Sequence, residues 1–168
     1  TVFTANVGPV SSNWDRAVEL YFQIKGGQID YGKAHSEAFG LVRKPESKNY
    51  TGLYPEWDEK HPVHFVGHSM GGQTVRMLDY LLKTSLLDSL GNKEESGFLG
   101  EAHDGWISSI TSISAPHNGT TLLQMLSLNF PVIVFWDCKY NEIKENAMSS
   151  IDELREVGIF HETPESAA

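Results

Sequence analysis

The sequence predicts an α/β protein built on a mostly parallel sheet with helices on both faces. Three observations predict it. An apolar run at 63–66 passes through a glycine-flanked serine into a helical repeat, an amphipathic helix is spelled out near the start, and β-branched runs alternate with these helices along the chain. A strand followed by a helix and then by a second strand is the unit from which parallel sheets are wound.

Taken in order, Val2 to Val7 is β-branched and aromatic enough for a strand, and Gly8-Pro9 punctuates its end. Trp14, Ala17, Val18, Tyr21 and Ile24 then recur at helical spacing on one face. Ser12 with Asp15 supplies an N-cap signature, and Gly26-Gly27 a stop. From Gln28 to Trp57 the chain breaks into short pieces rich in Gly, Lys, Pro and aromatics, which suits an excursion from the main sheet. Val63-His64-Phe65-Val66 reads as a strand, and Val75, Leu78 and Leu82 after Ser69 as a helix. The polar, glycine-interrupted stretch from Ser85 to Asp104 reads as a surface loop. Ile107 to Ile113 returns to strand on its β-branched content, although isoleucines three apart fit neither a period of two nor one of 3.6. Pro131 to Trp136 is a further apolar β-branched run, and Ser150 caps a short helix through Ile151, Leu154 and Val157.

Composition narrows the function classes. The 168 residues suffice for one domain, 40% of them apolar and 21% charged, without an apolar run long enough to span a bilayer. A net charge of −9 and the lack of a Lys/Arg cluster argue against a nucleic-acid partner. A single cysteine, Cys138, excludes an internal disulfide and a cysteine-based zinc cage. The sequence opens at Thr1 inside a strand-like run, so a targeting signal is expected to lie outside these residues. The oligomeric state is not legible.

The chemistry lies at Gly67-His68-Ser69-Met70-Gly71. A hydroxyl attacks a carbonyl only when a base removes its proton and when it projects clear of its neighbours. A sharp turn between strand and helix meets the second need. It strains the serine backbone and requires small residues two before and two after, here Gly67 and Gly71, with Gly72 adding room. The turn also sets Ser69 at a helix N-terminus, where the N–H of Met70 is the natural donor to a developing oxyanion. His68 is adjacent to the serine, and adjacent side chains diverge on such a turn, so it is expected to line the site rather than to act as the base.

Two longer stretches, Val7-Gly8-Pro9-Val10-Ser11-Ser12-Asn13-Trp14-Asp15-Arg16-Ala17 and Gly67 to Thr74, resemble the secreted triacylglycerol lipases of the staphylococcal and Geobacillus type. So do Asp30-Tyr31-Gly32 with Ala34-His35, and Ala115-Pro116-His117-Asn118-Gly119-Thr120. The resemblance covers roughly residues 1 to 126. It implies an α/β-hydrolase fold, incomplete in this chain, and a secreted lipase or carboxylic-ester hydrolase. Such an enzyme cleaves triacylglycerols or shorter acyl esters at a lipid–water interface through a serine acyl-enzyme. Ser69 would be the nucleophile and Met70 N–H one oxyanion donor, while the second donor would come from a segment upstream of Thr1. The family's catalytic Asp and His lie further downstream than the 99 residues that follow Ser69. Asp137 or Asp152 with His161 satisfies the order Ser, Asp, His without a supporting motif, and His117 is expected to fix a loop.

The chemistry requires no cofactor. The resemblance nevertheless implies a zinc site of two Asp and two His, of which Asp15 and His35 match two; Leu41 stands where the second His belongs, and the last Asp falls beyond the matching region. A calcium site would also fall outside it. Residues 1–168 are expected to form one partial domain, with 129–168 a divergent C-terminal segment. The alternative reading is a truncated, catalytically incomplete hydrolase-fold protein with a structural or lipid-binding role.

Overall fold

A computed structural model describes residues 1–9, 11–87 and 90–119. Its elements are α1 (Asn13–Lys25), β1 (Gly27–Gln28), α2 (Lys33–Phe39), β2 (Asn49–Tyr50), β3 (Val63–His68), α3 (Met70–Lys83) and β4 (Ile107–Ile113). β3 and β4 pair in parallel, with α3 in the connection between them, while β1 and β2 form a separate antiparallel pair. The 28–57 excursion therefore has its own small sheet. The expected run at 131–136, the helix from Ser150, the C-terminal segment 129–168 and the residues Asp137, Asp152 and His161 lie outside the described residues.

α1 begins where the sequence places it. Ser12 Oγ accepts the Asp15 N–H at 3.0 Å, and the Gly26 N–H closes on Phe22 O at 2.8 Å. Ala17, Val18, Tyr21 and Ile24 are buried as the spacing predicts, and so are Arg16 and Glu19. The opening run does not become a strand among the described residues. It lies against α1 instead: Asn6 exchanges two hydrogen bonds with the Gln23 amide, at 2.9 and 2.6 Å, and the Gly8 N–H donates to Glu19 Oε2 at 2.6 Å. A β-branched run becomes a strand only where a neighbouring backbone pairs with it, and here side chains of α1 take up these groups.

β4 resolves the odd isoleucine spacing. Val63 pairs with Ile107 but His64 with Ser109, so Ser108 is an extra residue in β4. The bulge lets Ile107 and Ile110, three apart, both pack against the core, and it sends Ile113 to the opposite face, where it is half exposed. α3 covers the face that carries Phe65, Ile110 and Ser112, and α1 packs on α3. On the other face Val66 is 69% exposed. The parallel pairing is as expected, whereas cover of the second face is not formed by the described residues.

The core centres on Trp57, Leu78, Leu81, Leu82 and Val18, all essentially without exposure. Trp57 donates its indole N–H to Trp106 O at 2.8 Å, and Phe65 meets the Trp57 ring edge to face at 6.1 Å. The stretch expected to be a surface loop contributes to this core. Phe98 is buried and stacks on Tyr21 at 3.8 Å, and Leu99 is fully buried beside it. Two apolar residues in a polar, glycine-rich stretch were enough to draw it inward. The same stretch supplies Glu94, whose two carboxylate oxygens accept the first N–H groups of α2, from Lys33 at 2.9 Å and Ala34 at 3.1 Å.

Ahead of α2, Asp30 is held by a bidentate fork from Arg43, at 2.7 and 2.8 Å, by the Gly32 N–H at 3.0 Å, and by Lys44 at 3.2 Å. Burial opposes its ionisation, but these donors outweigh burial and hold the carboxyl below its ordinary range.

Sterics at two glycines set how closely α3 approaches the sheet. A Cβ at Gly67 would lie 2.6 Å from backbone atoms of Gly71 and Gly72, and one at Gly72 would lie 2.5 Å from Ala115 Cβ. A Cβ at Gly71 would meet no described atom within 4 Å. The need for a small residue after the serine thus falls on Gly72 rather than on Gly71, whose own backbone is what Gly67 must clear.

Two predictions follow from these contacts. In urea denaturation, Gly67→Ala and Gly72→Ala should each cost about 1–3 kcal/mol, the cost of overpacking. Gly71→Ala should stay within about 1 kcal/mol of the parent, since it adds helix propensity in open space. Asp30→Asn should cost about 1–3 kcal/mol at neutral pH, where the unfolded carboxyl is also ionised. Because the folded group titrates below the unfolded one, its contribution is complete well above about pH 4 and is lost as pH falls further. The gap between parent and variant in pH-dependent unfolding should therefore close in acid; a gap that is constant with pH would refute the assignment.

Candidate active site

β3 ends at His68, α3 begins at Met70, and Ser69 between them has φ 53° and ψ −126°. Positive φ is costly for a residue with a Cβ, so it persists only where the surroundings impose it. Here they do. The Ser69 N–H donates to Ile113 O of β4 at 2.9 Å, and Ser69 O accepts from the Gly72 N–H at 3.0 Å, so both sides of the residue are tied down. The side chain does not cap α3 and forms no hydrogen bond to a described residue; Ser69 is exposed at the helix N-terminus. The result is a free hydroxyl where unpaired N–H groups and the positive helix end converge.

The flanking residues take distinct positions. Met70 opens the first turn of α3 and is 45% exposed. His68 is exposed at the end of β3, adjacent to the serine in sequence but in no hydrogen bond with it. Beyond β4 the chain turns at Ser114, a second serine with positive φ (50°), into the loop that carries His117. That loop is pinned to α3. The Gln73 side-chain amide donates to Pro116 O, Gly119 N–H closes a turn on the same oxygen at 3.0 Å, and Arg76 Nη1 donates to His117 Nδ1 at 3.3 Å. His117 thus meets α3 through Arg76, while the hydrogen bond between Gln73 and Pro116 O holds the loop. Neither the strained Ser114 nor the contribution of Gln73 was signalled by spacing, because neither residue carries a pattern of its own.

Asp15 and His35 are brought together, both buried, with Oδ1 and Nε2 3.0 Å apart and the imidazole stacked on Trp14 at 4.8 Å. Each supplies the other's partner directly. Leu41, at the position the resemblance gives to a third ligand, presents carbon alone, and no group of three or more His, Cys, Asp or Glu among the described residues has metal-binding spacing. Among the described residues, Asp15 and His35 alone do not make up a four-coordinate zinc site.

One further side chain reaches the first turn of α3. Arg16, buried on α1, donates from Nε to Thr74 Oγ1 at 2.9 Å, and its Nη1 lies 4.0 Å from Met70 Sδ. Burial lowers its pKa, against a raising influence of Glu19. No helix among the described residues is long and apolar enough to cross a membrane.

The chain is similar to proteins of one kind. It is 44% identical over 124 residues to a lipase of Staphylococcus hyicus, and 45% identical over the same length to Lipase 1 of Staphylococcus aureus. These matches take in 70% of this chain but only 19% and 18% of those proteins, so the chain spans about a fifth of the relatives' length. Among solved structures, EstA from Clostridium botulinum superposes with a TM-score of 0.67 at 45% identity, over 73% of this chain and 28% of that one. The Staphylococcus hyicus lipase superposes with a TM-score of 0.68 at 36% identity, over 94% and 39%. The family model described as "Lipase-like, C-terminal domain" matches residues 1–166. With that match over nearly its whole length, the chain belongs to the lipase family.

Proposed function

We infer that this chain carries the nucleophile of a secreted serine lipase or carboxylic-ester hydrolase that acts on triacylglycerols or shorter acyl esters at a lipid–water interface. One observation carries the reading: Ser69 is held at positive φ on the N-terminus of α3 with an exposed hydroxyl that no described residue occupies. A structural serine at a helix start turns its oxygen back to cap the helix, as Ser12 does on α1. Ser69 does the reverse, at the cost of backbone strain.

In this reading Ser69 Oγ bonds to the ester carbonyl carbon as its proton passes to a base, and the carbonyl oxygen takes up negative charge facing the Met70 N–H. The tetrahedral centre collapses as the bond to the alcohol oxygen breaks, and the alcohol leaves with the proton. Water then attacks the acyl-enzyme, releasing the fatty acid and restoring the hydroxyl. No metal takes part in these steps. No described side chain is hydrogen-bonded to Ser69 as its base, and the resemblance implies that the base, its carboxylate partner and the second oxyanion donor come from outside the matching region.

A second reading, a catalytically incomplete protein on the same fold, is favoured by the lack of any described side chain hydrogen-bonded to Ser69. The two are separated by a fluorophosphonate probe and a soluble p-nitrophenyl ester. In the full-length gene product the probe should label Ser69, and Ser69→Ala should abolish labelling and lower kcat by at least about 10⁴-fold. A product that turns over no ester and takes no label favours the incomplete reading.

A further inference from the structure

We propose that Arg16 is a positioning residue for the oxyanion donor, an inference that rests on Ser69 being the nucleophile. Its guanidinium holds the first turn of α3 at two points. Thr74 Oγ1 donates its only proton to Met70 O at 3.0 Å, so it receives Arg16 Nε–H at 2.9 Å as an acceptor, and the chain of bonds runs Arg16 to Thr74 to the Met70 carbonyl. Nη1, 4.0 Å from Met70 Sδ, steadies the side chain of the same residue. Met70 is thereby fixed at its carbonyl and at its thioether, which leaves its N–H a defined direction beside Ser69.

Folding alone does not account for a charge here. Arg16 is 7% exposed and forms no ion pair among the described residues. Taking a guanidinium from water is expensive, burial here outweighs what the Glu19 carboxylate returns, and the N-terminus of α3 beside it is itself positive. An apolar side chain of similar length would fill the space without either cost. The positive field does match one charge that exists only during the reaction, the oxyanion at the Met70 N–H. A fixed cation that is already desolvated when that charge appears favours the transition state over the neutral ester. Arg16 touches neither substrate nor the reacting atoms; it acts through Met70 and Thr74.

The test compares the parent with Arg16→Met, Arg16→Lys and Thr74→Val in the full-length gene product. The readouts are kcat and KM on a soluble p-nitrophenyl ester, inhibition by an alkyl boronic acid that forms an anionic tetrahedral adduct with the serine, and melting temperature. Arg16→Met should lower kcat at least about tenfold with KM within about threefold, and boronate affinity should fall in parallel. Arg16→Lys, which keeps the charge but not the fork, should recover part of kcat, and Thr74→Val should lower it about threefold.

A lower melting temperature with kcat and boronate affinity intact would reduce Arg16 to a packing residue and overturn the proposal. If Arg16→Met does not fold, Thr74→Val decides: unchanged kcat and boronate affinity in that variant overturn it equally. Fluorophosphonate labelling separates the two levels. A parent that is not labelled at Ser69 refutes the nucleophile reading itself, whereas a labelled parent whose Arg16→Met form is equally active refutes the role of Arg16 alone.

Discussion

The contact on which the site depends is the approach of α3 to the end of β3, close enough that a methyl group at Gly67 would overlap the backbone of Gly71 and Gly72. At that distance the chain has no room to leave the strand gradually. Ser69 must reverse direction within one residue, and the hydrogen bonds on either side of it hold the strained φ in place. Helix N-terminus, exposed hydroxyl and proposed oxyanion donor all follow from the spacing of two backbones. Gly72 against Ala115 then fixes the same helix to the loop after β4.

On α1 and in the 28–57 excursion the protein places several charges largely out of water. Glu19, 3% exposed, receives Lys48, the Tyr31 hydroxyl and the Gly8 N–H. Burial disfavours the Lys48 ammonium, yet its bonds to Glu19 and Tyr31 outweigh burial and raise its pKa. Asp30 and Arg43 form a second such centre, and Asp15 with His35 a third. The first and third join α1 to the 28–57 excursion, and the second joins the excursion to the stretch after α3 through Arg43 and Glu95; hydrogen-bonded charges fix direction more strictly than apolar contacts of the same area.

What the sequence made legible was local. Ser12 and Gly26 bound α1 by capping chemistry that acts within four residues, and Gly67 with Ser69 declares the turn because the strain falls on the residues that bear it. Elements defined by distant partners were not legible. Val2 to Val7 has strand composition, but its polar groups meet α1 side chains. Phe98 and Leu99 sit in a polar stretch and were drawn into the core by a surface that no window around them contains. The isoleucine spacing of β4 looked irregular until the bulge at Ser108, a property of the pair rather than of the strand, restored its sense. Arg16 escaped notice for the same reason, since one arginine on a helix has no meaning until Thr74 and Met70 are seen beside it.

The carboxylate of Glu94 carries a consequence for biosynthesis. α2 has seven residues and a glycine at its N-cap that offers no side-chain bond, so its first amides depend on an acceptor about sixty positions further on. A helix that short does not hold in water unaided. As the chain is extruded from the ribosome, α1 emerges with its own cap and is ready to coil, whereas α2 must wait until the strand, the serine turn and the whole of α3 have been made. The excursion, though translated early, therefore gains the acceptor for the first amides of α2 only once Glu94 has been made.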